Sequence, residues 1–171
     1  MAKPAFDAIM KGDLAALKKH PLWDKQSRRR NPLVFSRLQE YESNFMLLAA
    51  TDGGHTDIAK FLLDEVKVPV DQANRSGETA LHRAAYRGRA EILIYLIQKG
   101  ADIERLKVPE QTTNPDAFLG SALFFAALRG KLNCVRVLLR HGAKITLTPG
   151  DDHFQTFSDE IKQEFLTVMK L

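Results

Sequence analysis

One set of landmarks occurs three times along this 171-residue chain. Leu47, Gly54, Ile58 and Leu62 stand 34 residues before Leu81, Gly88, Ile92 and Leu96. The set returns after a further 42 residues as Leu123, Gly130, Cys134 and Leu138, and Gly100-Ala101 returns as Gly142-Ala143. A constant offset over four positions marks an internal repeat, and a period in this range restricts the fold to stacked supersecondary units. The step from 34 to 42 places about eight extra residues in "RLKVPEQTTNPD", residues 105–116, where two prolines and polar side chains mark a loop.

One unit reads as two short helices. In the central unit Thr79 can cap a first helix over residues 80–87. Gly88 ends it, because glycine takes the left-handed conformation at little cost. A second helix is expected over residues 90–98, with Ile92, Leu93, Leu96 and Ile97 on one apolar face, and Gly100 as its stop. Ala84 and Ala85 keep the first helix thin, so a neighbouring unit can pack closely. Helices this short are not stable alone, and stacking supplies the shared core that they lack.

"NRSGETALHRAAYRGRAEILIYLIQKGADI" resembles the ankyrin repeat, with Ala80 in place of the usual Pro and Arg83 in place of a usually apolar residue. "NFMLLAATDGGHTDIAKFLLDE" (44–65) resembles a second unit whose ending, "VKVPVD", has one extra residue and no Gly. "DAFLGSALFFAALRGKLNCVRVLLRHGAKI" (116–145) resembles a third, with Phe124 where His would stand. "AFDAIMKGDLAALKKHPL" (5–22) is similar to a degenerate first repeat, shortened by His20-Pro21. In "SDEIKQEFLTVMKL", Ser158 is a plausible N-cap, and Ile161, Phe165, Leu166 and Met169 form an apolar stripe suited to closing the array. The implied fold is an all-α ankyrin-repeat solenoid of about four helix-pair repeats with hairpin loops and a C-terminal capping helix. The expected organisation is one domain over 1–171, with repeats at about 5–22, 43–73, 74–106 and 116–145. Long loops are expected at 23–42 and 105–116, and the cap over 154–171.

Charge is distributed unevenly. The net charge is +4, and residues 1–42 carry all of it, with nine Lys/Arg against five Asp/Glu. The excess centres on Lys25, Arg28, Arg29 and Arg30. Those residues suggest a nuclear-import signal, a phosphate-binding patch or a plain solvated loop; without interleaved aromatics the last reading leads, and binding of nucleic acid or another anionic surface through the 25–30 loop is the alternative function. No apolar run approaches a membrane span, and the start, "MAKPAFDAIMKGD", lacks the apolar core of a signal peptide. The single Cys134 rules out an internal disulfide and fits a reducing compartment. A cytoplasmic location is expected, with the nucleus or the interior of a host cell as alternatives.

Chemistry has few footholds. The five histidines show no helix-face metal spacing, and Cys134 has no CxxC partner. Cys134 aligns with Ile58 and Ile92, so its register assigns it to the core rather than to a nucleophile's role. No phosphate-loop, dinucleotide, HExxH or GxSxG motif occurs. "TDGGHTD" lies within a repeat turn and is a weak phosphate loop. No enzyme activity, metal or cofactor is expected. The resemblance assigns His82 a structural role with Thr79, and it assigns His55 to the repeat's Gly-His step.

The resemblance further implies binding of another protein or peptide on a concave face, in an adaptor or effector role. The tip positions fall on Arg75, Ser76 and Glu78, and in the last unit on Ala117, Phe118 and Gly120. The helix positions before each turn Gly are Asp52 and Gly53, Tyr86 and Arg87, then Leu128 and Arg129. Aromatics among arginines are residue types that anchor interfaces, so a partner with acidic and apolar groups is expected, bound to a monomer. The chain can equally be the ankyrin part of a longer protein.

Overall fold

The computed structural model describes residues 3–20, 45–107, 120–147 and 149–169. Helices occur in pairs. In the first pair, α1 spans Lys3–Met10 and α2 spans Leu14–Lys19. The second pair has α3 over 45–53 and α4 over Thr56–Phe61. The third has α5 over Ala80–Arg87 and α6 over Ala90–Gln98, matching the expected spans. The fourth has α7 over Ala122–Leu128 and α8 over Leu132–Arg140. A single turn, α9 (Asp152–Gln155), and a longer helix, α10 (Asp159–Met169), complete the set. The apolar stripe at the end of the chain therefore sits on α10, with α9 as an additional turn before it. Among the described residues there is no strand.

Each pair is turned by the same backbone device. The N–H groups of Asp13, His55, Arg89 and Lys131 donate to the carbonyls of Ala8, Ala50, Ala84 and Ala126, at 2.8, 2.9, 2.9 and 2.8 Å. Gly54 and Gly88 lie between helices at φ +78° and +75°, where a side chain would strain the turn. The space there is also taken. A Cβ on Gly54 would come within 2.9 Å of Arg89 Cζ, and one on Gly88 within 2.9 Å of Lys131 Cδ. His55 lies in the same way across Gly12, so the side chain at the end of each turn covers the turn of the unit before it. This holds at the three boundaries between the four pairs, the one after the degenerate first pair included, and the Gly130 turn of the fourth pair is open.

The landmarks form one continuous core. Leu47, Leu81 and Leu123 are buried in like surroundings on successive first helices, and Ile58, Ile92 and Cys134 on successive second helices. α5 packs against α7, α6 against both α4 and α8, and α8 against α10. Truncating a buried leucine such as Leu96 to Ala costs about 2–5 kcal/mol, because the neighbouring units cannot close the void.

The extra residue of the second unit is taken up at the end of α4. The helix widens into a π turn over Leu62–Val66, and Lys67 takes the left-handed position at φ 66°. Val68 N–H then reaches back six residues to Leu62, where Ala101 and Ala143 reach back five, to Leu96 and Leu138. Val68, Ala101 and Ala143 are all buried, so the inserted residue is absorbed before it can shift the next unit.

Carboxylates and one histidine tie the units together. Asp71 accepts the Asp102 N–H, and Glu104 accepts the Lys144 N–H at 3.0 Å. His82 is buried. Its Nδ1 accepts the Thr79 N–H at 3.2 Å, while Thr79 Oγ1 caps α5 by accepting the His82 N–H. That acceptor role leaves the ring proton on Nε2, which donates to the Arg105 carbonyl at 2.9 Å. Burial pushes the His82 pKa below its usual value, against the opposing pull of that carbonyl and of Glu78. Phe125 of the next unit meets the same ring edge-on at 5.9 Å.

Candidate interaction surface

Asp52, at the end of α3, gathers groups from the following unit. Arg87 Nε donates to its Oδ1 at 2.9 Å, Arg83 Nη1 lies 3.6 Å from its Oδ2, and Arg89 donates to its backbone carbonyl at 3.0 Å. The hydrogen bond to Asp52 holds the Arg87 guanidinium pKa above its ordinary value. Arg83 then bridges to Glu78 at the hairpin tip, with Nη2 2.6 Å from Oε2, and Lys107 Nζ reaches Oε1 at 3.0 Å. Burial raises the Glu78 pKa, but the Lys107 hydrogen bond and the charges of Arg83 and Lys107 outweigh it and hold the carboxyl below its usual range. A line of alternating charge results: Lys107, Glu78, Arg83, Asp52, Arg87.

Arg83 and Lys107 were not among the residues the sequence nominated. The available signal was Arg83 itself, a charge at a usually apolar position. Its Nε is buried and has no hydrogen-bond partner. The tip is shaped by Asn74, whose Oδ1 accepts the N–H groups of Ser76 and Glu78, both at 2.9 Å. This leaves Arg75 and Ser76 exposed at the turn.

The next boundary is aromatic. Arg129 Cζ lies 4.7 Å from the centre of the Tyr86 ring, and Arg87 Cζ lies 5.8 Å from it. Leu128, beside Arg129, is 40% exposed. Of the nominated residues, the fold thus brings together Asp52, Tyr86, Arg87, Leu128 and Arg129, and Glu78 joins them through Arg83. Phe118 and Ala117 lie outside the described residues, as do Lys25, Arg28, Arg29, Arg30 and most of both long loops. Gly120 is buried, and a Cβ there would meet Phe124 at 2.9 Å, so it is a packing position rather than a contact for a partner.

A second cluster lies on the second helices. The Tyr95 hydroxyl donates to Asp64 on the π turn, Lys99 Nζ lies 2.6 Å from the same carboxylate, and Lys60 and Lys99 lie 5.4 and 5.3 Å from the Tyr95 ring centre. Burial and the Asp64 hydrogen bond raise the Tyr95 pKa, while Lys99 and Tyr95 lower that of Asp64. Nothing in the local sequence linked Asp64 to Tyr95.

Reactive chemistry is not assembled at either place. Cys134 is fully buried and burial pushes its thiol pKa up to about 11, which fits a core role and leaves little thiolate. Among the described residues no group of His, Cys, Asp and Glu is arranged to hold a metal, and no helix is long and apolar enough to cross a membrane. What the surface offers is guanidinium groups, one aromatic ring and exposed apolar carbon, the elements of recognition.

Comparison with known proteins agrees with this geometry. A family model for ankyrin repeats in three copies matches residues 6–107, and a single ankyrin repeat matches 121–148. The chain is 30% identical over 91 residues to the mouse (Mus musculus) serine/threonine-protein kinase TNNI3K, covering 53% of the chain and 11% of the kinase. It is 34% identical over 114 residues to mouse palmitoyltransferase ZDHHC13, covering 67% of the chain and 17% of that protein. It is 35% identical over 104 residues to Dauer abnormal formation protein 25 of Caenorhabditis elegans, covering 61% and 24%. The chain therefore spans a quarter or less of the length of these relatives, and the kinase and the transferase match over their repeat regions. Ankyrin repeats are generally non-catalytic modules of protein–protein interaction. This chain belongs to the ankyrin-repeat family.

Proposed function

We propose that residues 1–171 form one array of about four repeats closed by the C-terminal helices, and that it works as a monomeric scaffold or adaptor. A partner protein or peptide with acidic and apolar groups occupies its concave groove. Asp52, Arg75, Ser76, Glu78, Tyr86, Arg87, Leu128 and Arg129 are the contact residues. The observation that carries this reading is the Tyr86–Arg129 contact across a repeat boundary, next to the exposed Leu128. An aromatic ring, a guanidinium and apolar carbon in one place are the components of an interface hot spot. A reducing cellular interior suits the buried, unpaired Cys134.

The test compares the native chain with a Tyr86→Ala/Arg87→Ala variant in quantitative pull-downs. The variant should lose the specific partners. Its unfolding free energy should change by less than about 1 kcal/mol, since the Asp52–Arg87 pair is partly exposed to water, which screens it. Partners retained in full by a folded double variant would remove this surface from consideration.

A further inference from the structure

The cations on this face are not all matched by a carboxylate of the described residues. Arg83 and Arg87 are matched by Glu78 and Asp52, and Arg89 is anchored to the Asp52 carbonyl. Arg129 and Lys131 have no carboxylate partner among the described residues. Lys131 lies along the Gly88 turn, and Arg129 rests on the Tyr86 ring. The ring fixes the Arg129 side chain before any ligand arrives, so less conformational freedom is lost on binding. The guanidinium presents a planar fork suited to a carboxylate. Beside it, Leu128 leaves apolar carbon exposed.

We propose that the boundary between the third and fourth repeats is an acceptor for an extended acidic segment, with one Asp or Glu side chain on Arg129 and a nearby apolar side chain on Leu128. This rests on the groove reading above and names the partner's chemistry at one station of it. The charge pattern sets the location. At the preceding boundary Asp52 already occupies Arg87, so an incoming carboxylate there would displace an internal one and face repulsion from it. At the Arg129 boundary it meets Arg129 and Lys131, neither of which is paired with a carboxylate of the described residues. An extended chain fits because packed helices stand about 8–10 Å apart while a strand advances about 3.3 Å per residue, so about three residues span one unit.

The probe is a display library of random peptides about 12 residues long, selected on the native chain. Enriched sequences should carry Asp or Glu within about three positions of Leu, Ile or Phe. A synthetic copy should bind Arg129→Glu about tenfold more weakly or worse, and the same peptide with its acid replaced by Lys should regain affinity for that variant. Arg129→Gln, which removes the charge without reversing it, should fall between the two and provides the comparison if the Glu variant folds poorly. Enriched peptides without acids that still lose binding on Tyr86→Ala/Arg87→Ala would overturn the acidic assignment and leave the groove standing. Enriched peptides indifferent to every one of these substitutions would remove both. A selection that enriches nothing would overturn the assignment of a linear acidic segment.

Discussion

His82 and Phe124 stand at the same position of successive repeats, 42 residues apart, and join their units to the next element of the array by opposite means. Both lie three residues after a capping hydroxyl, Thr79 or Ser121. Beyond His82 lies another repeat, whose approach presents a backbone carbonyl, Arg105, that needs a donor. Beyond Phe124 lies the segment of α9 and α10, which presents rings: Phe157 at 6.1 Å and His153 at 5.6 Å. Phe154, Phe157 and Phe165 continue that cluster into the core. An interior joint is thus specified by a directional hydrogen bond that holds the spacing between units. The joint to α9–α10 is made by area and ring geometry, which set no hydrogen-bonded register.

The largest break in this comparison is expected at the aromatic end. Phe165→Ala should destabilise the chain by about 3–5 kcal/mol, because it empties a fully enclosed site. Hydrogen exchange should show early opening of 159–169 while the amides of α5 and α6 keep most of their protection. Equal loss of protection in both regions would show that the end is not a separable joint.

The interior joint should yield next. His82→Phe keeps a ring but removes the hydrogen bonds of both ring nitrogens, leaving the Arg105 carbonyl without its donor. About 1–3 kcal/mol should be lost in a urea titration. The same residue gives a pH test. Its folded pKa lies below the unfolded value of 6.5, so the folded state binds fewer protons there. The stability it contributes is complete above pH 6.5 and declines as pH falls through that value toward the folded pKa. Glu78, held below 4.5, adds its own loss only at lower pH. A native chain whose urea midpoint is flat from pH 7.5 to 5.5, or a His82→Phe variant with an equal slope, would contradict this assignment.

Smaller effects lie in the second unit and at the surface. Lys67→Gly should stabilise by about 0.5–1 kcal/mol, since the left-handed position at the end of the π turn suits glycine. A loss on thermal melting would mean that the Lys67 side chain supports the turn. Lys18→Ala should change stability by less than about 1 kcal/mol. Its 2.8 Å pair with Glu65 is about half exposed on both sides, and its other contact is to the face of the Phe61 ring.

Much of the fold was legible because its signals are local. Thr79, Gly88 and Gly100 bound two helices within a few residues of each other, and the spacing of Ile92, Leu93 and Leu96 names the buried face without knowledge of the neighbour. The candidate surface was legible only as positions. Tyr86, Arg87, Leu128 and Arg129 could be placed on one face from the offset, but their pairings could not. Gly120 reads as a tip position in the sequence, yet Phe124 and Phe125 enclose it.

The residues alone therefore determined where each helix starts and stops, which side of it is apolar, and that the units repeat, because caps, left-handed glycines and helical periodicity act over one or two turns. Tertiary structure decided which charges meet. Asp52 with Arg87, Glu78 with Lys107 and Asp64 with Tyr95 are separated by 35, 29 and 31 residues. Their contact depends on how one unit is rotated and raised on the next, and that is set by packing across the boundary, including a π turn that absorbs a single inserted residue.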